Sequence, residues 1–190
     1  MPKKIEMPDF AAFKTMRELL IARAKSLMEF YKNETEDHSE MSHVAFPMGL
    51  KVGERKARVA ILPLSGDKAI RAYELKSMHL SLESNKCNSL VVIMDTWTTQ
   101  GEKHQSIDEV IRQRDAGLIK RQEALILIAG AQGELPYMVV QRYKRVPGNK
   151  DKKETIEWGE VIEMSPTEVK YYTHVLPREW EGPGLAEGSA

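Results

Sequence analysis

The chain has 190 residues, with 28 basic and 28 acidic side chains and a formal net charge of zero. This length suits one compact domain, and the balanced charge argues against a surface that attracts nucleic acid everywhere. The single cysteine, Cys87, excludes an internal disulfide and a cysteine-rich zinc site. We find no signal-peptide pattern and no apolar run long enough to cross a bilayer, so we expect a cytoplasmic protein without a membrane partner.

The first predicted element is an amphipathic helix of about six turns. Asp9 is a suitable N-cap, and apolar residues recur at steps of three or four from Phe13 to Tyr31. An acidic loop over residues 33–40 is expected to end this helix.

A β-hairpin is predicted next. Apolar and polar residues alternate over 44–52, the chain turns at Gly53, and a second strand follows over 57–64. Pro63 predicts an edge position or a strand end for that second strand.

A second helix is predicted over 68–82, with Ser65, Gly66 and Asp67 as its start signal. Ile70, Tyr73 and Ser77 share one helical face. Met78, Leu80 and Leu82 alternate as in a strand, but fifteen residues without glycine or proline favour the helix.

Four further strands are predicted, together with a short helix over 107–112. They cover residues 89–94, 124–129, 137–146 and 156–162. The strands at 89–94 and 124–129 are apolar on both faces, which predicts central positions. Residues 165–167 resemble the start of a helical turn, and 181–190 a flexible tail.

Together these elements predict one α+β domain over residues 1–180. It contains a largely antiparallel sheet of about six strands and two main helices. Because this order of elements fits no single fold, function cannot be inferred from architecture.

The segment "LVVIMDTWTTQ" supplies the first candidate site. Asp95 ends an apolar strand and Glu123 opens the next one, so two strand-end carboxylates could hold Mg²⁺ for hydrolysis. The alternative is structural, with Asp95 capping a loop and Trp97 packing against the sheet edge.

The second candidate is the spacing of Asp67, Glu74 and Lys76, which imitates a metal-dependent nuclease motif. That motif requires Glu74 and Lys76 on one face of a strand. The predicted helix places them on different faces instead.

A basic turn is the third candidate, and it predicts contacts with nucleic acid through phosphates and a stacking Tyr143. Its members are Arg142, Lys144, Arg145, Lys150, Lys152 and Lys153. Nearby acidic residues make a solvated turn the simpler interpretation.

Histidine and cysteine suggest no strong site. His38 and His43 flank Glu40 in one loop, but no histidine pair has the spacing of a metal-binding helix. Cys87 lies in a polar turn without a histidine nearby in sequence. We therefore predict no metal site and no cofactor, with Mg²⁺ entering only through the carboxylate candidates.

The segments "LVVIMDTW" and "KRQEALILIAG" resemble a pattern in small bacterial and phage-borne proteins of unknown function. The resemblance covers residues 89–143. It implies a phage or mobile-element accessory protein, and it implies no activity and no catalytic residue.

The leading hypothesis is a non-enzymatic protein-interaction domain that forms homo-oligomers. Two strands that are apolar on both faces need cover on two sides, and two helices leave room for a partner subunit to supply part of it. The alternatives are a metal-dependent hydrolase or nuclease, and a nucleic-acid-binding protein.

Overall fold

A computed structural model describes residues 8–36, 42–98, 106–120, 122–148, 155–164 and 174–180. The elements, in chain order, are α1 (Met16–Glu36), β1 (His43–Gly49), β2 (Arg58–Val59), β3 (Leu62–Leu64), α2 (Lys68–Leu82), β4 (Ser89–Thr98), α3 (Ile107–Asp115), β5 (Gln122–Ala131), β6 (Tyr137–Val146) and β7 (Thr155–Met164). Short 3-10 turns occupy Phe10–Ala12 and Arg178–Trp180. The predicted α+β class, with a largely antiparallel sheet and two long helices, is confirmed.

All strands join one sheet in the order β2-β1-β4-β5-β6-β7, with β3 also paired to β1. Every pairing is antiparallel. β4 and β5 are central, as their apolar sequences predicted, and they pair over ten residues from Ser89↔Ala131 to Thr98↔Gln122. β4 therefore extends beyond its predicted end at residue 94, and Asp95 and Trp97 lie within the strand.

The first helix begins later than predicted. Asp9 caps the preceding 3-10 turn, where its side chain accepts a hydrogen bond from the Ala11 N–H. α1 itself begins after a capping box, in which Thr15 and Glu18 each accept a hydrogen bond from the other's backbone N–H. The helix also continues through Glu36, so residues 33–36 are not part of a loop.

α2 has the predicted bounds and the predicted cap. The Asp67 side chain accepts hydrogen bonds from the backbone N–H groups of Ala69 and Ile70. At the other end, Lys86 adopts a left-handed conformation (φ 56°), and the Cys87 N–H bonds to the Leu82 carbonyl. This hydrogen-bonded turn leads the chain from α2 directly into β4.

Each face of the sheet packs against its own helix. On one face, α1 covers a core that includes Phe46, Ile93 and Leu127. On the other face, α2 covers Val92 and Ile128. The described part of the chain thus provides a helix for each side of the central strands.

The C-terminal segment completes the cover on the α2 side. Val175, Leu176 and Trp180 are buried in the same cluster as the inner residues of α2. A Cβ atom at Gly130 would lie 2.6 Å from a Leu176 methyl carbon, so the glycine makes room for this segment. The expectation that a partner subunit supplies part of the cover is therefore wrong for β4 and β5, whose core residues are buried within one chain.

The remaining predictions differ in detail. The predicted strand over 57–64 is divided into β2 and β3, and Pro63 pairs with Val44 at the edge, as expected. The predicted helical turn at 165–167 and the tail at 181–190 lie outside the described residues. None of the helices in the described part of the chain is long and apolar enough to cross a membrane.

Candidate functional site

Four polar side chains from β4, β5 and β6 meet on the face of the sheet that α1 covers. We call Asp95, Glu123, Tyr143 and Arg145 the polar network. Asp95 belongs to β4, Glu123 to β5, and the other two to β6. Antiparallel pairing aligns these strand ends, which places the four side chains within hydrogen-bonding reach.

The polar network is closed by its own hydrogen bonds. The Tyr143 hydroxyl donates to Asp95 Oδ1 at 2.5 Å, and Arg145 Nε donates to Glu123 Oε1 at 2.9 Å. Arg145 Nη2 lies 3.4 Å from the Tyr143 oxygen and 3.7 Å from Asp95 Oδ2. One guanidinium therefore contacts both carboxylates and the phenol between them.

The protonation states follow from these contacts. Burial raises the pKa of Tyr143, and the hydrogen bond to Asp95 raises it further. The hydrogen bond to Glu123 raises the pKa of Arg145. At neutral pH the phenol is therefore protonated and the guanidinium charged, so both can act as hydrogen-bond donors to the carboxylates.

The arrangement brings Asp95 and Glu123 together, as the sequence suggested, but around an arginine. In the described residues, no group of three or more His, Cys, Asp or Glu side chains is positioned to hold a metal ion. Mg²⁺ prefers an octahedral shell of oxygen ligands. The Arg145 guanidinium lies between the two carboxylates, where such an ion would have to bind. The polar network in this arrangement does not fit Mg²⁺.

An open concavity of about 530 Å³ adjoins the polar network. Its wall includes Trp97, Glu123 and Trp158. Trp97 is 61% exposed, so the expectation that it packs against the sheet edge is wrong. The rest of the wall includes the basic residues Arg142 and Lys144 of β6 and the acidic residues Glu157 and Glu160 of β7.

Some residues of the predicted nucleic-acid surface line this concavity, but two of the predicted contact residues are not available to bind nucleic acid. Tyr143 is only 3% exposed and cannot stack on a base, while Arg145 is engaged by Glu123 and Asp95. Arg142 and Lys144 line the wall. The other candidates, Lys150, Lys152 and Lys153, lie outside the described residues. Nucleic-acid binding stays a prediction, and the exposed aromatic residue beside this surface is Trp97, which the sequence analysis had assigned only a structural role.

The nuclease-like spacing has a structural use in α2. Asp67 is the N-cap, and the Glu74 carboxylate accepts a hydrogen bond from the Ser65 N–H at 2.7 Å. Lys76 is exposed on the helix. Because all three residues belong to a helix and its cap, the strand arrangement that the nuclease motif needs is absent from them.

The histidine and cysteine candidates do not form a site in the described residues. His43 is half-buried on β1, while His38 and Glu40 lie outside the described residues. Cys87 follows α2, and burial raises the pKa of its thiol. A raised thiol pKa lowers the thiolate fraction, so this environment does not activate Cys87 as a nucleophile.

The helical face of α2 that contains Ile70, Tyr73 and Ser77 is exposed. We call Ile70, Tyr73, Ser77 and Leu80 the outer stripe. The three apolar members are 53%, 73% and 82% exposed, respectively. Leu75, Met78 and Leu82 form the opposite, buried face. The sequence correctly placed Ile70, Tyr73 and Ser77 on one face, but periodicity alone does not say which face meets the sheet.

The neighbouring edge of the sheet is also apolar. Val59, Ile61 and Leu62 are 42%, 59% and 38% exposed. A groove of about 340 Å³ separates β2 and β3 from the second half of α2 and is lined in part by Leu62 and Met78. Exposed large apolar side chains are therefore concentrated between residues 59 and 80.

Comparison with family models, curated proteins and solved structures finds no match to this chain.

Proposed function

We propose that this chain is a non-enzymatic protein-interaction domain that associates with itself through the outer stripe. The observation that carries this proposal is the exposure of Ile70, Tyr73 and Leu80 on the side of α2 that faces away from the sheet. Contiguous exposed apolar surface of this kind is typical of protein contacts.

The contrast within α2 supports the proposal. Leu75, Met78 and Leu82 already bury one face of the helix against the sheet, so the outer stripe is not needed for the fold of one chain. Burying a large apolar side chain is worth about 1.5–3 kcal/mol, and this free energy is available to an association that covers Tyr73 and Leu80.

The polar network supports a structural role for the residues that most resembled a catalytic site. Asp95, Glu123, Tyr143 and Arg145 bind one another across three strands. Such a network fixes the relative positions of β4, β5 and β6 beyond the apolar core. The resemblance of residues 89–143 to small bacterial and phage-borne proteins supports an accessory role.

The interface is small, so the association depends on concentration. One pair of four-turn helices buries less surface than a typical stable complex, and we expect a dimer of micromolar affinity. Size-exclusion chromatography with light scattering, from a few to several hundred micromolar, should show the mass rising from one chain to two. A mass of one chain at every concentration would contradict the proposal.

A matched pair of leucine variants locates the interface. Leu80→Glu should abolish the dimer, because it introduces a charge at the most exposed apolar residue of the outer stripe. Leu118→Glu is the control, since Leu118 is also highly exposed (77%) but follows α3. Equal effects of the two variants would show that the outer stripe is not the contact surface.

A further inference from the structure

We infer that the partner of the outer stripe is α2 of a second copy, packed in the antiparallel direction with Ile70 against Leu80 of the partner subunit. This inference rests on the proposed function and adds the direction and register of the contact. Its first support is the spacing of the outer stripe, whose members follow one another at steps of three, four and three residues. These are the a and d positions of a two-helix seam.

The sizes of the side chains decide the direction. In a parallel pair, each residue of the outer stripe would face its own copy, so Tyr73 would meet Tyr73 of the partner subunit and Ser77 would meet Ser77 of the partner subunit. One layer would then be crowded and the next would contain a cavity. Both arrangements are costly because well-packed interfaces tolerate neither overpacking nor voids.

An antiparallel pair combines large with small. Positions a and d then face each other across the seam. In the register that aligns the centres of the two outer stripes, which we call the centred register, Tyr73 packs over Ser77 of the partner subunit. The two-fold symmetry of the pair repeats this contact. The outer layers combine Ile70 with Leu80 of the partner subunit. All four layers then bury an apolar side chain, and opposed helix dipoles favour the same direction.

Charged residues beside the outer stripe favour a different register, in which one helix is shifted along the other by one heptad. In the centred register, Lys76 lies near Lys76 of the partner subunit. The shift would instead bring Lys76 towards Glu83 of the partner subunit, but it would separate Ile70 from Leu80. Exposed ion pairs contribute little compared with a buried apolar layer, so the centred register is preferred.

Cysteine cross-linking tests direction and register together. Each variant carries Cys87→Ser, which removes the native thiol. We expect a mixture of Ile70→Cys and Leu80→Cys chains to form a mixed disulfide under mild oxidation, and Leu80→Cys alone to form none. Rapid cross-linking of Leu80→Cys alone would establish a parallel pair, and cross-linking of Ser77→Cys with Leu80→Cys only would establish the shifted register. Either result would overturn the inference.

A size exchange gives a second readout that does not use cysteine. Tyr73→Ser and Ser77→Tyr should each weaken the dimer roughly tenfold or more, as measured by analytical ultracentrifugation. The double variant restores one large and one small residue per layer, and its affinity should return to within about threefold of the native value. Failure of the double variant to recover would contradict the antiparallel pair. A dimer that survives Leu80→Glu would instead contradict the proposed function.

Discussion

The two sides of the sheet differ in the outward surfaces of their helices. On α1, outward positions include Glu29, whose side chain is 56% exposed. On α2, outward positions include Tyr73 and Leu80, which are 73% and 82% exposed. Both helices bury an apolar face against the same sheet, so the difference is not required for folding. The proposed association through α2 depends on this difference in exposed apolar surface.

The two sides also bury different titratable groups. On the α1 side, burial raises the pKa of Tyr31 to about 12 and also raises the pKa values of Tyr137 and Tyr143. On the α2 side, burial lowers the pKa of His79 and of His174. Burial disfavours the charged form in both cases, so the α1 side is sensitive to alkali and the α2 side to acid.

The largest expected effect contrasts a leucine on each helix. Leu20 of α1 is fully buried, and Leu20→Ala should lower the free energy of unfolding by about 2–5 kcal/mol because it leaves a cavity. Leu80→Ala should change it by no more than about 0.5 kcal/mol. Urea denaturation at concentrations where the chain is monomeric measures both. A large loss from Leu80→Ala would show that the outer stripe serves the fold of one chain.

An intermediate effect is expected on the α1 side at high pH. Tyrosines ionise near pH 10 in the unfolded chain and higher in the folded chain, so stability is complete below about pH 10 and falls above it. Tyr143→Phe should cost about 1–3 kcal/mol at neutral pH, because Asp95 loses its hydrogen-bond donor. The Tyr143→Phe variant should also lose less stability than the native protein as the pH rises above about 10. Tyr73→Phe is the control, and an alkaline limb that is the same in all three proteins would contradict the assignment.

The smallest expected effect is on the α2 side at low pH. His79 Nε2 lies 3.0 Å from the Val175 carbonyl, and the lowered pKa of His79 means that the folded state favours the neutral ring. Its stability contribution is therefore present above about pH 6.5 and is lost as pH falls through the folded pKa.

His79→Gln retains a hydrogen-bond donor but does not titrate. The variant should lose less stability than the native protein between about pH 8 and about pH 5, as measured by urea denaturation. Tyr143→Phe, on the other side of the sheet, should leave this acid limb unchanged. An identical acid limb for His79→Gln and the native protein would show that His79 does not control it.

Much of the fold was predictable because local patterns agreed with the tertiary arrangement. The cap at Asp67 and fifteen residues without glycine or proline predicted α2 with its observed bounds. The two-sided apolar character of β4 and β5 predicted their central positions. Element ends were predicted less well, since Thr15 and not Asp9 starts α1.

The candidate site was predictable only in part. The sequence singled out Asp95 and Glu123, which do meet, but the arginine between them comes from β6, more than twenty residues further along the chain. Pairing between strands creates such neighbours, and no local spacing records them. The same limit applies to Trp180, whose burial depends on a segment that follows the last strand.

By itself, the sequence determined which segments are helices and strands and which residues share a face, because these follow from local periodicity and capping. Only the tertiary structure decided which face of α2 meets the sheet, and that Asp95 faces a phenol and a guanidinium. Both depend on contacts between residues far apart in the chain. In α2, two faces carry apolar residues, and Leu75, Met78 and Leu82 are buried against the sheet while Tyr73 and Leu80 are exposed.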